Sequence, residues 1–310
     1  MASSRTFVKE EDIDEVVRRS SSSGLWNRNV AFFKTSPGPL QNFELCAVYS
    51  AAVHNRDSRV LVNMLTPQAL PQSLGRLGNV RVRRLDYREL FADTPLEDWY
   101  LEGLWNDSAV GARRSFLYLA DTEGGLYLDL DVITLKPMGP LVNFMAFEDE
   151  VKLALQTETL SFSRQLGHVV SRGHPYLHLY MLAYKTKFQS GLPAWLLGPG
   201  LATEVLRHYK KLYEAHRHEE DTGGRAWEVG LLSHRHINPL SQFEAERMLS
   251  SGVEADRLRI DQAYTTHLAR GALLEKLRSV GRLLPDSPLA GVVRSHCPPF
   301  QQIEEFMRNT

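Results

Sequence analysis

The segment GGLYLDLDVITLKPM, residues 124–138, constrains this chain more than any other stretch. Two aspartates, Asp129 and Asp131, are spaced so that both side chains point to one side of a strand, since alternate residues of a strand share a face. Apolar residues surround them, which predicts a strand that is buried for most of its length. Because two carboxylates on one face repel each other, we expect this strand end to open onto a divalent metal ion.

Apolar segments alternate with helical ones through the first half of the chain. The pattern predicts strands at 30–33, 59–65 and 80–85, and a helix at 43–54 with Asn42 as its cap. This alternation is typical of an α/β fold with a mixed, mainly parallel sheet and helices on both faces. Ligands of such sheets bind beyond the carboxyl ends of the strands, where Asp129 and Asp131 are expected to lie.

The domain organisation follows from composition. Residues 1–29 are expected to form a flexible N-terminal tail, residues 30–300 one domain, and residues 301–310 a C-terminal tail. With 310 residues, 43% of them hydrophobic, the chain is long enough to bury a sizeable core. A formal net charge of −1 argues against nucleic acid as the main partner.

Targeting and covalent features are sparse. No apolar run of about 18 residues is present, so no membrane segment is expected in this chain, and the N-terminus lacks a signal-peptide core. The two cysteines, Cys46 and Cys297, allow either one disulfide or two buried thiols, so they leave the redox compartment open. Asn106 begins an Asn-Asp-Ser triplet, which is a glycosylation acceptor only in a secretory lumen.

A family resemblance enters with the frame around the two aspartates. The pattern GGxYxDxDxxxLK, residues 124–136, resembles the DXD core of the GT-A glycosyltransferases, which have a nucleotide-sugar-binding α/β fold. Further segments, in the same order, resemble the alpha-1,4-galactosyltransferases: CAVYSAA (46–52), LDYRELFADTPLEDWY (85–100), GPGLATEVL (198–206), YTTH (264–267) and CP (297–298). The chain is therefore identified as a member of the alpha-1,4-glycosyltransferase family with a DXD motif.

The resemblance implies a type II Golgi membrane enzyme of glycosphingolipid biosynthesis. Such an enzyme transfers galactose or N-acetylgalactosamine from UDP-galactose or UDP-N-acetylgalactosamine, in alpha-1,4 linkage and with retention, to a galactose-terminated glycolipid or glycan. Its cofactor would be Mn²⁺ (or Mg²⁺) between the DXD and the diphosphate. Because this sequence contains no anchor, we expect either an upstream membrane segment in the native transcript or a chain that is a truncated form of the protein.

The resemblance also implies site residues, of which catalytic ones stay unassigned. The expected metal ligands are Asp129, Asp131 and His267, with Asp131 as the direct ligand and Asp129 contacting ribose or metal-bound water. The expected donor-binding residues are Thr35, Ser36, Gly124, Gly125, Tyr127 and Asp129. Aromatic residues that stack on glycan would come from Tyr87, Trp99, Tyr100, Trp105 and Trp195.

The sequence also departs from the family pattern. Relatives carry a Ser-Asp-x-x-Arg motif that contacts the donor, and here Arg113 replaces the acid and Phe116 the base. Tyr49 replaces the acid of the first helix. Losing a hydrogen-bonding group of a donor pocket costs about 10²–10³-fold in rate. These departures favour an alternative function, a catalytically degenerate relative that acts as a binding or partner protein.

Overall fold

The computed structural model describes residues 29–104, 125–141, 143–147, 155–162, 174–189, 192, 196–216, 229–240, 242–251, 254–268, 273 and 284–300. Within these ranges the strands are β1 (Asn29–Lys34), β2 (Arg59–Met64), β3 (Val80–Arg84), β4 (Gly125–Leu128), β5 (Val132–Thr134), β6 (Phe144–Phe147), β7 (Leu155–Phe162), β8 (Gly230–Leu232) and β9 (Thr265–His267). The α-helices are α1 (Asn42–His54), α2 (Gln72–Gly75), α3 (Tyr87–Phe91), α4 (Glu97–Leu101), α5 (Pro175–Lys187), α6 (Leu201–His216), α7 (His234–Ile237), α8 (Glu254–Gln262) and α9 (Pro288–His296). Two 3-10 helices, Gln242–Met248 and Pro298–Phe300, and a π-helical turn, Leu196–Gly200, complete the described elements.

The chain divides into two compact units. The first, called the site unit, consists of the described residues of Asn27–Leu85, Leu126–Gly139 and His234–Thr310. The second, called the aromatic unit, consists of the described residues of Asp86–Gly125 and Pro140–Ser233. The predicted boundaries of one domain with two tails stay a prediction.

The site unit is built on parallel strands in the order β3-β2-β1-β4. Phe32 pairs with Val62, and Val62 with Val82, so the apolar centres of the three strands align. β1 is buried at every position, as expected of a central parallel strand with both faces covered. A separate two-stranded antiparallel sheet joins β5 to β9.

Helix α1 organises the core of the site unit. Glu44 lies in its first turn, where the positive end of the helix dipole stabilises a negative charge. The helix begins after Gln41, so the expected cap at Asn42 was wrong by one residue. The side chain of Ser50 accepts from the backbone N–H of Thr134 in β5 at 3.1 Å, and Asn55 accepts from Met138 at 2.8 Å. Helix α1 is thereby tied to the chain segment that follows the two aspartates.

A disulfide joins Cys46 of α1 to Cys297, which directly follows α9. It settles the alternative that the sequence left open. Both cysteines are fully buried in one apolar cluster with residues such as Ile133, Leu240 and Leu289. At the ends of the same two helices, His54 Nε2 lies 2.9 Å from His296 Nδ1. The disulfide and the histidine pair therefore hold α9 against α1.

The aromatic unit contains a mixed three-stranded arrangement, with β6 antiparallel to β7 and parallel to β8. Helices α5 and α6 pack together beside a set of buried aromatic rings. The hydroxyl of Tyr176 donates to the carbonyl of Ala202 at 3.1 Å, and that of Tyr180 to Leu197 at 3.0 Å. Burial raises the pKa of both tyrosines above its usual value, so their hydroxyls remain protonated donors.

The predicted α/β class with a mixed, mainly parallel sheet is confirmed. Parallel pairing joins β1 to β2, β1 to β4, β2 to β3 and β6 to β8. When apolar strands alternate with helices along a chain, the helices cover both faces of a mainly parallel sheet and so bury its strands. No helix within the described ranges is both long enough and apolar enough to span a membrane.

Candidate functional site

The two aspartates lie in a turn and not within a strand. Strand β4 ends at Leu128 and β5 begins at Val132, and the backbone N–H of Val132 donates to the carbonyl of Asp129 at 3.0 Å. The expectation of two carboxylates on one face of a strand was therefore wrong, because strand alternation does not apply in a turn. Their placement beyond the carboxyl end of a parallel strand agrees with the expectation, since β4 runs parallel to β1.

The hydroxyl of Tyr127 orients the side chain of the first aspartate, Asp129. Tyr127 lies in β4 and is 1% exposed, and its hydroxyl donates to Oδ1 of Asp129. Its ring packs against Phe33 of the neighbouring strand, with a centroid separation of 6.0 Å. One carboxylate oxygen of Asp129 is thus engaged by a buried phenol. The side chain of Tyr127, expected to bind the donor, is turned to the protein interior.

The second aspartate is brought to His267 by the pairing of β5 with β9. Val132 faces His267 across this antiparallel pair, and the backbone N–H of Leu268 donates to the carbonyl of Asp131 at 2.9 Å. As a result, Nε2 of His267 lies 3.3 Å from Oδ2 of Asp131. Their side chains are 17% and 13% exposed, so both are partly accessible to solvent. Two predicted metal ligands that are far apart in the sequence are therefore neighbours in the fold.

The donor chemistry of this pair suits a hard divalent ion. Carboxylate oxygen is the preferred ligand of Mg²⁺ and Mn²⁺, and imidazole nitrogen is accepted by Mn²⁺. Among the described residues, no group of three histidine, cysteine, aspartate or glutamate side chains is placed to hold a metal ion. The expected set of three ligands, Asp129, Asp131 and His267, is thus not brought together, and Asp131 and His267 alone would supply two ligands of a metal ion.

Thr35 and Ser36 follow the carboxyl end of β1, the strand next to β4. Because the carboxyl ends of neighbouring parallel strands meet at one edge of the sheet, these residues and the two aspartates share that edge. Lys34, the last residue of β1, and Glu44 of α1 are 5% and 4% exposed. Nζ of Lys34 lies 2.7 Å from both carboxylate oxygens of Glu44. This buried ion pair beside the candidate site was not expected from the sequence, because lysine and glutamate side chains ordinarily lie at the surface.

Gly125 has a backbone requirement of its own. Its φ is +121°, a conformation that residues with a side chain rarely adopt. Gly125 begins β4, so a glycine there lets the chain enter the strand that leads to Asp129. The structure thus gives a conformational reason for the second glycine of the motif.

The aromatic residues divide between the core and the surface. Trp99 is 1% exposed and packs edge-on against Phe91, Tyr184 and Phe188. It belongs to the core of the aromatic unit, so its assignment as a glycan-stacking candidate was wrong. Tyr87 and Tyr100 are half-buried, and Tyr100 stacks on Phe91 at 5.2 Å between centroids.

Several expected residues lie outside the described ranges. These are Gly124, Trp105, Asn106, Arg113, Phe116 and Trp195. The glycosylation acceptor and the departures from the Ser-Asp-x-x-Arg motif therefore stay predictions.

Sequence comparison finds relatives whose names match the family that the sequence resembles. Over 198 residues the chain is 32% identical to lactosylceramide 4-alpha-galactosyltransferase of Homo sapiens, which covers 58% of this chain and 52% of the relative. The predicted resemblance is confirmed. The Rattus norvegicus protein of the same name is 31% identical over 60% of this chain and 52% of its own. Alpha-1,4-N-acetylglucosaminyltransferase of Homo sapiens is 26% identical over 73% of this chain and 62% of its own. The chain spans about half the length of the curated galactosyltransferases it matches.

No family model matches the chain. Among solved structures, PaToxG glycosyltransferase matches with a TM-score of 0.44 and 14% identity, over 81% of this chain and 90% of that one. The galactosyltransferase LgtC, in complex with donor and acceptor sugar analogs, matches with a TM-score of 0.28 and 15% identity, over 77% of this chain and 86% of that one. Both are glycosyltransferases by name.

Proposed function

We propose that this protein is a metal-dependent, retaining glycosyltransferase that uses a UDP-sugar as its donor. The observation that carries the proposal is the convergence of Asp131 and His267 beyond the carboxyl end of β4, with a contact of 3.3 Å. The relatives named as galactosyltransferases support the same reaction class. The finer proposal is transfer of galactose or N-acetylgalactosamine, in alpha-1,4 linkage, to a galactose-terminated glycolipid or glycan.

Asp131 and His267 would hold the cation, Mn²⁺ or Mg²⁺. When bound, such an ion stabilises the negative charge that develops on the UDP leaving group as the sugar–phosphate bond breaks. Nε2 of His267 and Oδ2 of Asp131 are 3.3 Å apart, which is close enough for both atoms to bind the same cation. This preorganisation lowers the cost of assembling the site.

Asp129 would contact the donor ribose or a metal-bound water. Its orientation is set by the buried hydroxyl of Tyr127, which donates to Oδ1 of Asp129. Tyr127 therefore acts on the donor through Asp129. Thr35 and Ser36, at the neighbouring strand end, would hold the uridine.

The location that fits these features is the Golgi lumen. The disulfide between Cys46 and Cys297 supports an oxidising compartment, because disulfides are rare in the cytosol. A luminal location would also expose Asn106 to glycosylation. Microscopy of the tagged full-length protein tests the location. A shift in gel mobility that a glycosidase reverses tests the glycosylation of Asn106.

The reaction is tested by measuring UDP release from UDP-galactose with Mn²⁺, with and without a lactose-type acceptor. Parallel reactions with UDP-N-acetylgalactosamine identify the donor sugar. We expect release that needs both Mn²⁺ and acceptor, and that is lost in Asp131→Ala. Absence of release with either donor, together with no binding of UDP, would contradict the proposal.

A second candidate function is a binding or partner protein that has lost turnover. Arg113 and Phe116 favour it, because they replace an acid and a base that contact the donor in relatives. In this case UDP and Mn²⁺ bind, but neither donor is consumed with any galactose-terminated acceptor. Restoring the motif by Arg113→Asp and Phe116→Arg together would then produce measurable turnover.

A further inference from the structure

The loop at 35–41 connects β1 to α1 and carries Thr35 and Ser36. One buried ion pair holds both of its ends. Lys34 is the residue directly before the loop, and its ammonium contacts both carboxylate oxygens of Glu44 at 2.7 Å. Oε2 of Glu44 also accepts from the backbone N–H of Gln41, the last residue of the loop, at 2.8 Å. A single carboxylate thus fixes where the loop begins and where it ends.

The loop's own sequence narrows its conformations further. Pro37 and Pro39 restrict the backbone torsions on either side of Gly38. Gly38 adopts a φ of +96°, which a residue with a side chain rarely does. A loop of this kind has few conformations once its ends are fixed, so the ion pair determines where its two hydroxyl residues lie.

Stability alone does not account for this ion pair. Removing two charges from water costs as much as their attraction returns, and an apolar pair of similar volume is often as stable. What an ion pair adds is a defined distance and direction between two groups. Here that geometry is imposed on the segment between the sheet and α1, at the edge where the candidate site lies.

We propose that Lys34 and Glu44 are positioning residues for the nucleotide, acting through the placement of Thr35 and Ser36. This role rests on the proposed function, since it needs a nucleotide at that edge of the sheet. Neither charge is directed to the ligand, because each neutralises the other in the interior. Their effect is therefore on affinity for the nucleotide, through the loop.

Two substitutions separate the charge from the hydrogen bond. Glu44→Gln keeps an oxygen that accepts from Gln41, yet leaves the ammonium of Lys34 without its counter-charge. Lys34→Met removes the cation and keeps the length of the side chain. The double variant, Lys34→Met with Glu44→Gln, carries neither charge of this pair and is expected to regain most of the stability that the single variants lose. It keeps the test valid if a single variant fails to fold.

A matched control exists in the same unit. Asp256 is a fully buried carboxylate, and its Oδ2 accepts from Nε of Arg247 at 2.8 Å. Asp256→Asn makes the same chemical change at a buried carboxylate, in an ion pair whose arginine is 43% exposed and which joins Gln242–Met248 to α8. It reports what a loss of stability alone does to nucleotide binding.

The measurements are the affinity for UDP with Mn²⁺, by calorimetry, and the hydrogen exchange of the loop amides without ligand. We expect Glu44→Gln, Lys34→Met and the double variant to exchange faster in the loop and to bind UDP about tenfold more weakly or worse, since misplaced contact groups lose their orientation. Asp256→Asn should bind UDP within about twofold of wild type, because its ion-pair partners, Arg247 and Arg259, are not residues of the loop.

The outcomes distinguish this inference from the function on which it rests. If wild type binds UDP and Glu44→Gln binds it equally well, the positioning role is wrong while the proposed function stands. The positioning role is also wrong if the loop exchanges faster but the affinity for UDP is unchanged in all three variants. If wild type binds no UDP, the proposed function fails and the positioning role fails with it.

Discussion

Breaking the disulfide between Cys46 and Cys297 should lower the stability of the protein substantially. The two cysteines are 251 positions apart in the sequence. In the chain-entropy treatment, a closed loop of that size lowers the entropy of the unfolded state and raises its free energy by about 5 kcal/mol. Single disulfides more often contribute about 2–4 kcal/mol when measured, so we expect a loss of about 2–5 kcal/mol in the free energy of unfolding.

The assay is urea unfolding with and without dithiothreitol, on wild type, Cys46→Ala, Cys297→Ala and the double variant. Either single substitution removes the whole cross-link, so the double variant should be only slightly less stable than the singles. Wild type should lose stability in dithiothreitol, and the variants should not respond to it. This insensitivity is the internal control, because it separates the cross-link from the loss of side-chain packing.

A thiol count gives the result that would refute this reasoning. Unfolded wild type without reductant should show no reactive thiol, since both cysteines are in the bond. Two reactive thiols, together with unfolding that does not depend on dithiothreitol, would show that the cysteines are free. The argument for an oxidising compartment would then be lost as well.

Three further predictions concern the pair of His54 and His296, the hydroxyl of Tyr127, and Trp99. Burial, and secondarily the neighbouring His296, lower the pKa of His54 from 6.5 to about 4. The free energy of unfolding is therefore highest above pH 6.5 and falls as the pH drops from 6.5 towards 4. His54→Gln should make the urea midpoint depend less on pH over that range. His296 also has a lowered pKa through burial, opposed by Asp261, so His296→Gln should act in the same direction. Tyr127→Phe keeps the buried ring but removes the hydroxyl that donates to Asp129. The affinity for UDP should therefore fall, while the free energy of unfolding changes by only about 1 kcal/mol. An unchanged affinity for UDP in calorimetry would contradict the proposal that Tyr127 orients Asp129. Trp99→Ala should cost about 3–5 kcal/mol in urea unfolding, because a large buried ring is lost from the aromatic unit; a change below about 1 kcal/mol would contradict its placement in the core.

The fold was predictable where local patterns and layer rules agree. Apolar runs at 30–33 and 59–65 indicated buried strands, and the helix at 43–54 was found with an error of one residue at its start. The cap was misassigned because an asparagine is the better capping side chain in isolation, whereas Glu44 satisfies the backbone of Gln41 here. Tertiary contacts decide such boundaries.

The candidate site was predictable in composition but not in geometry. The resemblance pointed to Asp131 and His267 together, and only the pairing of β5 with β9 explains how they meet. Strand alternation misplaced the two aspartates, because the turn at 129–131 interrupts the apolar run without glycine or proline to mark it. The ion pair of Lys34 and Glu44 was missed, since a buried charge becomes recognisable only when its partner is located.

Thermal unfolding of wild type and Asp131→Ala, with and without UDP and Mn²⁺, tests the central claim most directly. A ligand that binds only the folded state raises the melting temperature. We expect this rise in wild type and in Asp57→Ala, which removes an exposed carboxylate of the site unit, and no rise in Asp131→Ala. Without ligand, Asp131→Ala should melt close to wild type, because Asp129 and Asp131 are two residues apart and removing one carboxylate relieves their repulsion. If Asp131→Ala melts several degrees lower without ligand and still shows the wild-type rise with UDP and Mn²⁺, Asp131 is a structural residue and the proposed metal site is wrong.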